Sequence, residues 1–482
     1  ITGGEKRYRT SYGVDLRQKG RAYNGPAASS LTLPTDFAPA INNPGFETTD
    51  FTLNWYKLSG NATWAQSSAQ AQAGTYSGLM SGGTATATVA AQALEVIPFR
   101  GKELTFTCYL YQAVLNQGKI RITDSASSTT SSLSATVGSW VQFTVAHTVN
   151  GGATTLRIDL LNDNGSEACY FDTAAIALTT GSTATTGDYI RYIDYNSALY
   201  LARGSSLLKY SGSGNWTYLR GFPFTITDMA VLGSQLFIGQ GIGNYMYYSA
   251  ASSDAATTWS LATTANNIAQ FFAEIGGTLY FNSTATAVYS IAAANGTATS
   301  VGTIGLTTTT ITGMTSHANL LYIMKTDQPY ERASGGTITA IMPETISETS
   351  ATSGKNPLSW KGDLYIQTGS QSLWRWGSST DIETVSPAKF AVAEADFGGA
   401  VKALASDSEY LFAILQNTTK VEILAMREET IDGDTDWRWH PLAELTSGDC
   451  NHAWVSTVGS KRLWVCGDTA DTPTFYYLPA NY

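Results

Sequence analysis

Leu199-Tyr200-Leu201, Leu236-Phe237-Ile238, Leu279-Tyr280-Phe281, Leu321-Tyr322-Ile323, Leu364-Tyr365-Ile366, Leu411-Phe412-Ala413 and Leu463-Trp464-Val465 are seven versions of one short apolar strand. The leading Leu advances by 37, 43, 42, 43, 47 and 52 residues. A strand-built period of roughly 40–50 residues predicts propeller blades. Each triplet follows another apolar strand and a polar or Gly-containing turn, as in Met229-Ala230-Val231-Leu232 before Gly233-Ser234. A third strand bears Tyr or Trp: Lys209-Tyr210, Tyr247-Tyr248-Ser249, Val288-Tyr289-Ser290, Leu373-Trp374-Arg375-Trp376 and Phe475-Tyr476-Tyr477. A fourth often carries Trp, as at Trp216, Trp259 and Trp437. Four short strands make a blade, so residues 181–482 are expected to form a β-propeller of about seven blades. The last repeat, ending at Tyr477-Leu478-Pro479, shows only three clear strands. Its outer strand is expected from the preceding linker, the N-terminal arm or chain beyond Tyr482.

Upstream, period-2 alternation takes over. Leu104, Phe106, Cys108 and Leu110 alternate with Thr105, Thr107, Tyr109 and Tyr111. Ile120 and Ile122 alternate with Lys119, Arg121 and Thr123, and Leu156, Ile158 and Leu160 with Arg157 and Asp159. Ala85, Ala87 and Val89 alternate with Thr84, Thr86 and Thr88. Such runs between Gly/Ser/Asn turns are half-buried antiparallel strands. Residues 39–180 therefore read as a β-sandwich, and the fold class is all-β. Residues 177–187 are a Thr/Gly/Ser linker.

Residues 1–38 have no periodicity and are broken by Gly3-Gly4, Gly13, Gly20, Gly25-Pro26 and Pro34. Lys6, Arg7, Arg9, Arg17, Lys19 and Arg21 are opposed there only by Glu5 and Asp15. This is a basic extended arm on a body of net charge −10, and its six bases are expected to dock on an acidic partner surface. The net charge argues against a specific nucleic-acid binder. Charged residues are 14% of the chain, and Thr, Ser, Ala and Gly fill their place, a surface suited to extracellular proteins and large assemblies. No apolar run approaches the ~20 residues that span a bilayer. Four cysteines make no disulfide framework. Because the chain opens on Ile1, a processed protein or part of a longer one is expected.

Four stretches of the sandwich resemble a known family. They are Asn43-Pro44-Gly45-Phe46-Glu47, Gly74-Thr75-Tyr76-Ser77-Gly78, Gly138-Ser139-Trp140-Val141-Gln142-Phe143 and Tyr170-Phe171-Asp172-Thr173-Ala174-Ala175-Ile176. In this order they resemble the jelly-roll carbohydrate-binding modules found beside xylanases and glucanases. The resemblance implies a structural calcium between Glu47 and Asp172, although Thr173 stands where the family has a second Asp. The alternative is a hydrogen-bonded carboxylate pair without metal. The resemblance also implies sugars stacked on one sheet face. The candidates are Tyr109, Tyr111, Arg121, Arg157 and Asp159, with Trp55 and Trp64 as a wall.

Little else carries chemistry. Ser252-Ser253-Asp254-Ala255-Ala256-Thr257-Thr258-Trp259 resembles the sialidase Asp-box, a structural turn remote from the active site, and Asp432-Gly433-Asp434-Thr435-Asp436-Trp437 is a poorer echo. The propeller arginines do not recur at one blade position, so no sialidase site is expected. His440, Cys450, His452 and Cys466 lack zinc spacing, and buried thiols are expected. His147 and His317 have no evident Ser, Cys or Asp partner, and no nucleophile elbow, Walker or His-Glu-x-x-His motif occurs.

A basic arm, a sugar-module-like jelly roll and a propeller without catalytic residues resemble the virion structural proteins of tailed bacteriophages, some of whose nozzle and adhesin proteins combine propellers with β-sandwiches. The resemblance implies a non-enzymatic tail component in an extracellular particle. Its partners would be copies of itself in a symmetric ring, other tail proteins and host surface glycans. The alternatives are a secreted glycan-binding protein and a propeller-type glycoside hydrolase or lyase.

Overall fold

The computed structural model describes residues 14–15, 23–24, 28–31, 39–48, 51–84, 86–96, 99–151, 153–178, 190–222, 224–255, 259–262, 264, 266–342, 357–368, 372–378, 381–387, 400–416, 420–431, 434–446, 452–466 and 473–477. The fold is all-β, with seven four-stranded antiparallel sheets, two five-stranded sheets, a two-stranded pairing of Val14–Asp15 with Tyr23–Asn24 and one short helix, Phe51–Asn54, among the described residues. The basic residues of the arm and most of the 177–187 linker lie outside the described residues.

The seven four-stranded sheets are the blades of a closed propeller. In chain order they span 190–221, 228–261, 272–303, 311–340, 358–384, 400–446 and 454–477. Their innermost strands touch in sequence from Ile190–Tyr195 to Trp454–Ser456, and that last strand touches Ile190–Tyr195 again. The seven marker triplets are the second strands of the blades. Apart from the partly exposed Tyr280, all their side chains are buried, because a second strand is covered by neighbouring blades on both faces. Burial on both faces is what removes polar alternation from these strands.

Blade seven takes its outermost strand from the arm. Ala28–Ser30 pairs antiparallel with Pro473–Tyr477, with Ala28 opposite Tyr476, Ser29 opposite Phe475 and Ser30 opposite Thr474. Leu31 then packs on the cluster of Ile190, Tyr192, Trp216, Trp464 and Phe475, which fills the seam between blades seven and one. The sandwich is thus inserted, in chain order, between the strand that closes the ring and the first blade.

In the sandwich, the first sheet runs Ser128–Thr130, Gly118–Asp124, Leu156–Asn162, Thr88–Leu94, Tyr56–Ser59. The second runs Val141–Thr148, Glu103–Gln112, Cys169–Leu178, Ser77–Ser81, Thr63–Ser67. The apolar members of each alternation, Phe106, Cys108, Leu110, Ile120, Ile122, Ile158 and Leu160 among them, meet in one core. Cys169 joins Cys108 there, both as free thiols whose pKa burial raises. Among the described residues of the Thr84–Val89 alternation, Thr88 and Val89 belong to a strand.

If the Ala28–Ser30 pairing holds the ring shut, weakening its anchor destabilises the propeller. Leu31→Ala should cost about 1–2 kcal/mol for a partly buried side chain. Ser30→Ala, on the exposed outer edge, should stay within about 0.5 kcal/mol. Urea unfolding followed by tryptophan fluorescence measures both.

Candidate functional site

The outward side chains of the sandwich separate into two sites on opposite faces. On the second sheet, Tyr111 pairs with Tyr170, and Tyr170 with Leu79. Trp140, just before the strand opposite Tyr111, completes the row. Ring centroids lie 5.8 Å apart for both Tyr111–Trp140 and Tyr111–Tyr170, the latter pair edge-to-face at 82°. All three rings are half-buried, and Tyr109 stands two residues along on the same face. The approach to Trp140 is fixed from below. Buried Gln112 donates to the carbonyls of Ser134 and Thr136 (2.9 and 2.8 Å), and the Gly138 amide donates to the Gln112 carbonyl (3.1 Å). Mutually packed rings with part of each face in water offer a sugar an apolar platform. Gln142, exposed opposite Tyr109, offers hydrogen bonds.

Arg121, Arg157 and Asp159 belong instead to the first sheet, so the residues expected on one face do not converge. Alternation shows that a side chain points outward, but not from which sheet. Asp159 is fully buried under the two arginines. Its carboxylate accepts from Arg121 Nε (2.7 Å), Arg157 Nε (2.8 Å) and the Thr123 hydroxyl (2.9 Å). It is therefore a counterion to the arginines and does not face a ligand.

Trp64 and Trp55 form no wall. Trp64 is 8% exposed and Trp55 fully buried. Trp64 packs edge-on against Phe46 and Phe171 and donates its Nε1–H to the Trp55 carbonyl (2.7 Å), while Trp55 donates to the Asn43 carbonyl (3.2 Å). Both indoles have core partners for ring and N–H alike, which is why they face inward.

Glu47 and Asp172 hold one loop between them. Glu47 accepts from the amides of Thr75 and Tyr76, each 3.0 Å from Oε1. Asp172 Oδ2 accepts from the amides of Gln72 and Ala73 (2.7 and 3.1 Å), and its Oδ1 from that of Thr173 (2.6 Å). Thr173, at a φ of 51°, sends its hydroxyl to Gln72 Oε1 (2.7 Å). Burial, with the charge of Glu47, raises the Asp172 pKa despite those amides. A calcium ion takes oxygen ligands, and here the carboxylate oxygens face N–H groups. As arranged, the pair fits an ion only if the 72–76 amides turn away.

His147 does have partners. Its Nε2 lies 3.1 Å from Asp124 Oδ2 and its Nδ1 2.9 Å from the Thr129 hydroxyl. Burial pushes the Asp124 carboxyl up, but the Asn150, Ala126 and Ser127 amides and the His147 ring outweigh it and hold the pKa at about 2. His317 Nδ1 meets the Ser359 hydroxyl at 2.8 Å. In the Asp-box-like stretch, Asp254 accepts from Tyr200 (2.5 Å) and Lys209 (2.6 Å) of blade one, a tie between blades. Ala256–Thr258, Asp432, Gly433 and Cys450 lie outside the described residues. His452 is stacked between Tyr192 and Trp454. Among the described residues no group of three or more His, Cys, Asp or Glu could hold a metal ion, and no helix is long and apolar enough to cross a membrane.

No family profile matches the sequence, and no curated protein matches it. Among solved structures, the chain is similar to the extracellular domain of a hybrid two-component system from B. thetaiotaomicron. The identity is 14% and the TM-score 0.46, over 61% of this chain and 39% of that one, so the match spans about two fifths of that protein. It is similar to YCF48 from Cyanidioschyzon merolae at 14% identity and a TM-score of 0.43, over 62% of this chain and 97% of that one. The C-terminal family 22 carbohydrate-binding module of Clostridium thermocellum Xyn10B matches at 18% identity and a TM-score of 0.24, over 29% of this chain and 92% of that one. The structural neighbours thus include propeller-like extracellular domains and carbohydrate-binding modules.

A buried carboxylate helps fasten the sandwich to the propeller, beside Arg220, which donates to Asn42 Oδ1 (3.4 Å), and Tyr218, which packs on the sandwich core. Glu95, just past Thr88–Leu94, is 6% exposed and enters blade one. It accepts from the hydroxyls of Ser206, Ser205 (3.2 Å) and Tyr218 (3.0 Å). Gly221 lines the cradle, where a Cβ would strike the carboxylate. Burial raises the Glu95 pKa to about 7, against the three hydroxyls and the charge of Arg220. A carboxyl raised in the folded state binds its proton more tightly there, so stability falls as pH rises from about 4.5 to about 7 and then levels off. The span is on the order of 3 kcal/mol. Denaturant unfolding at pH 5 and pH 8 should show this loss in the native chain, and Glu95→Gln should flatten it.

Proposed function

We propose that the chain is a non-enzymatic recognition protein in which the Trp140–Tyr111–Tyr170 row binds glycans and the propeller serves as the scaffold. The supporting observation is the row itself: three packed, half-exposed rings on an open sheet face. Sugar rings present flat C–H faces that stack on such surfaces, and Tyr109 extends the platform along the strand.

The setting we propose is a tail component, nozzle-like or adhesin, of a tailed phage. It would assemble with copies of itself and other tail proteins and contact host glycans from the virion. The low-charge composition supports an assembly part. So does the position of the arm's root. Ala28–Ser30, which follows the bases Lys6 to Arg21 in the sequence, is the outer edge of blade seven, a rim on which a neighbour would dock.

Tyr111→Ala should weaken glycan binding at least tenfold without changing the fold, read on a glycan array and by calorimetry. Equal binding by the variant, or none by the native chain, overturns the reading. Native mass spectrometry tests the setting: a closed ring of copies is expected, and a monomer with a free arm overturns it. Melting with calcium or EGTA tests the Glu47–Asp172 pair. With the loop held by amides, an unchanged melting temperature is expected.

A further inference from the structure

We propose that Arg121 and Arg157 form a second binding site, for an oxyanion carried on a saccharide, such as the carboxylate of a hexuronate. The site lies on the first sheet, opposite the aromatic row, and does not depend on it.

Pairing places the residues. Arg121 is directly across from Asp159, and Thr123 from Arg157, in adjacent antiparallel strands. All four point outward, because positions two apart share a face. Each guanidinium reaches the buried carboxylate through Nε alone. The terminal nitrogens of both arginines have no hydrogen-bond partner among the described residues, and the side chains are 23% and 31% exposed. Two positive charges over one negative leave a net positive spot on a chain of net charge −10. Nearby, Lys119 is already paired with Asp163.

The shared carboxylate is the informative part. A buried Asp that needed only neutralising would be served by one arginine. Serving two with Nε bonds fixes both guanidiniums and leaves their terminal edges unused. Such edges take carboxylate, sulfate or phosphate bidentately, with little further entropy to lose.

The surroundings suit a sugar. Ala91, across from Asp159, is fully buried, and Ala93, across from Arg157, offers a partly exposed methyl group. Beyond Ala91 stands Tyr56, 38% exposed. The row Tyr56–Ala91–Asp159–Arg121 crosses four strands, about 14 Å at the usual strand spacing. Burial raises the Tyr56 hydroxyl's pKa, with the Arg157 charge acting against that rise and the Asp159 charge adding to it. A pyranose lying over this row would meet the exposed Tyr56 ring on one side and the two guanidiniums on the other.

The test uses the full chain, with calorimetry against a hexuronate oligomer, the matching neutral hexose oligomer and inorganic phosphate. The hexuronate is expected to bind at least tenfold more tightly than the neutral oligomer, with affinity falling as salt rises. Arg121→Gln and Arg157→Gln should each lose at least tenfold, checked for folding by melting. Because either change leaves Asp159 with one cation fewer, Tyr56→Ala provides a variant outside the charge cluster. It should weaken the hexuronate and leave phosphate unchanged. Rising salt should weaken the hexuronate and spare the neutral oligomer, which separates this site from the aromatic row. Equal affinity for hexuronate and neutral oligomer, or full binding by the arginine variants, overturns the proposal. Phosphate binding as tightly as the hexuronate, with no effect of Tyr56→Ala, overturns its saccharide part.

Discussion

Three residues, Ala28 to Ser30, hydrogen-bonded along Thr474–Tyr476, close the ring on which the rest of the molecule hangs. A propeller whose last blade lacks its outer strand exposes a sheet edge, with unpaired N–H and C=O groups. Here the edge is covered by the start of the chain, and side chains reinforce the seam. Ser456 donates to Asp194 (2.7 Å), the Tyr192 hydroxyl to the Val465 carbonyl (3.2 Å) and Arg462 to the Tyr210 hydroxyl (2.8 Å). Trp464 sits among Tyr192, Tyr210, Trp216 and Phe475, at centroid distances of 4.7–6.3 Å. The sandwich lies in sequence between Leu31 and Ile190, both of which pack at this seam. Glu95 helps fix the sandwich to blade one.

What could be read in the sequence follows from burial. Second strands of blades are covered on both faces and carry apolar runs, so they repeat visibly. Fourth strands are partly exposed, and one is as short as Ser260–Leu261, so a lone Trp was their marker. The closing strand, Ala28-Ser29-Ser30, has no apolar pattern because Ser29 and Ser30 face solvent. The arm could be named as one of three sources, but nothing in those residues selected it.

The sandwich shows a second limit. Period 2 separates inward from outward side chains but does not assign strands to sheets. Tyr111 and Arg121 are close in sequence, yet residues 113–117 carry the chain from the second sheet to the first. One apparent face was therefore two. Trp140 and Tyr170 were visible in the motifs that resemble carbohydrate-binding modules, but their meeting with Tyr111 depends on strand order. Trp64 failed for a different reason. Its neighbours Thr63, Ala65, Gln66 and Ser67 are too small or polar to reveal a buried position.

Buried carboxylates show how one chemical group takes different roles in this chain. Asp124 receives three amides and an imidazole, and its pKa falls to about 2. Glu95 receives hydroxyls, which stabilise charge less than oriented amides and cations do, and its pKa rises to about 7. Asp159 has two full cations. The first arrangement locks a turn and the second joins two parts of the chain. The third has more positive charge than its carboxylate requires. Two guanidiniums held side by side repel each other, a local cost that the one shared carboxylate offsets only in part. An arriving anion offsets the rest. That is the physical reason to look for the ligand at Arg121 and Arg157, where the charges do not balance, and not at Glu47 and Asp172, where backbone amides already engage the carboxylates.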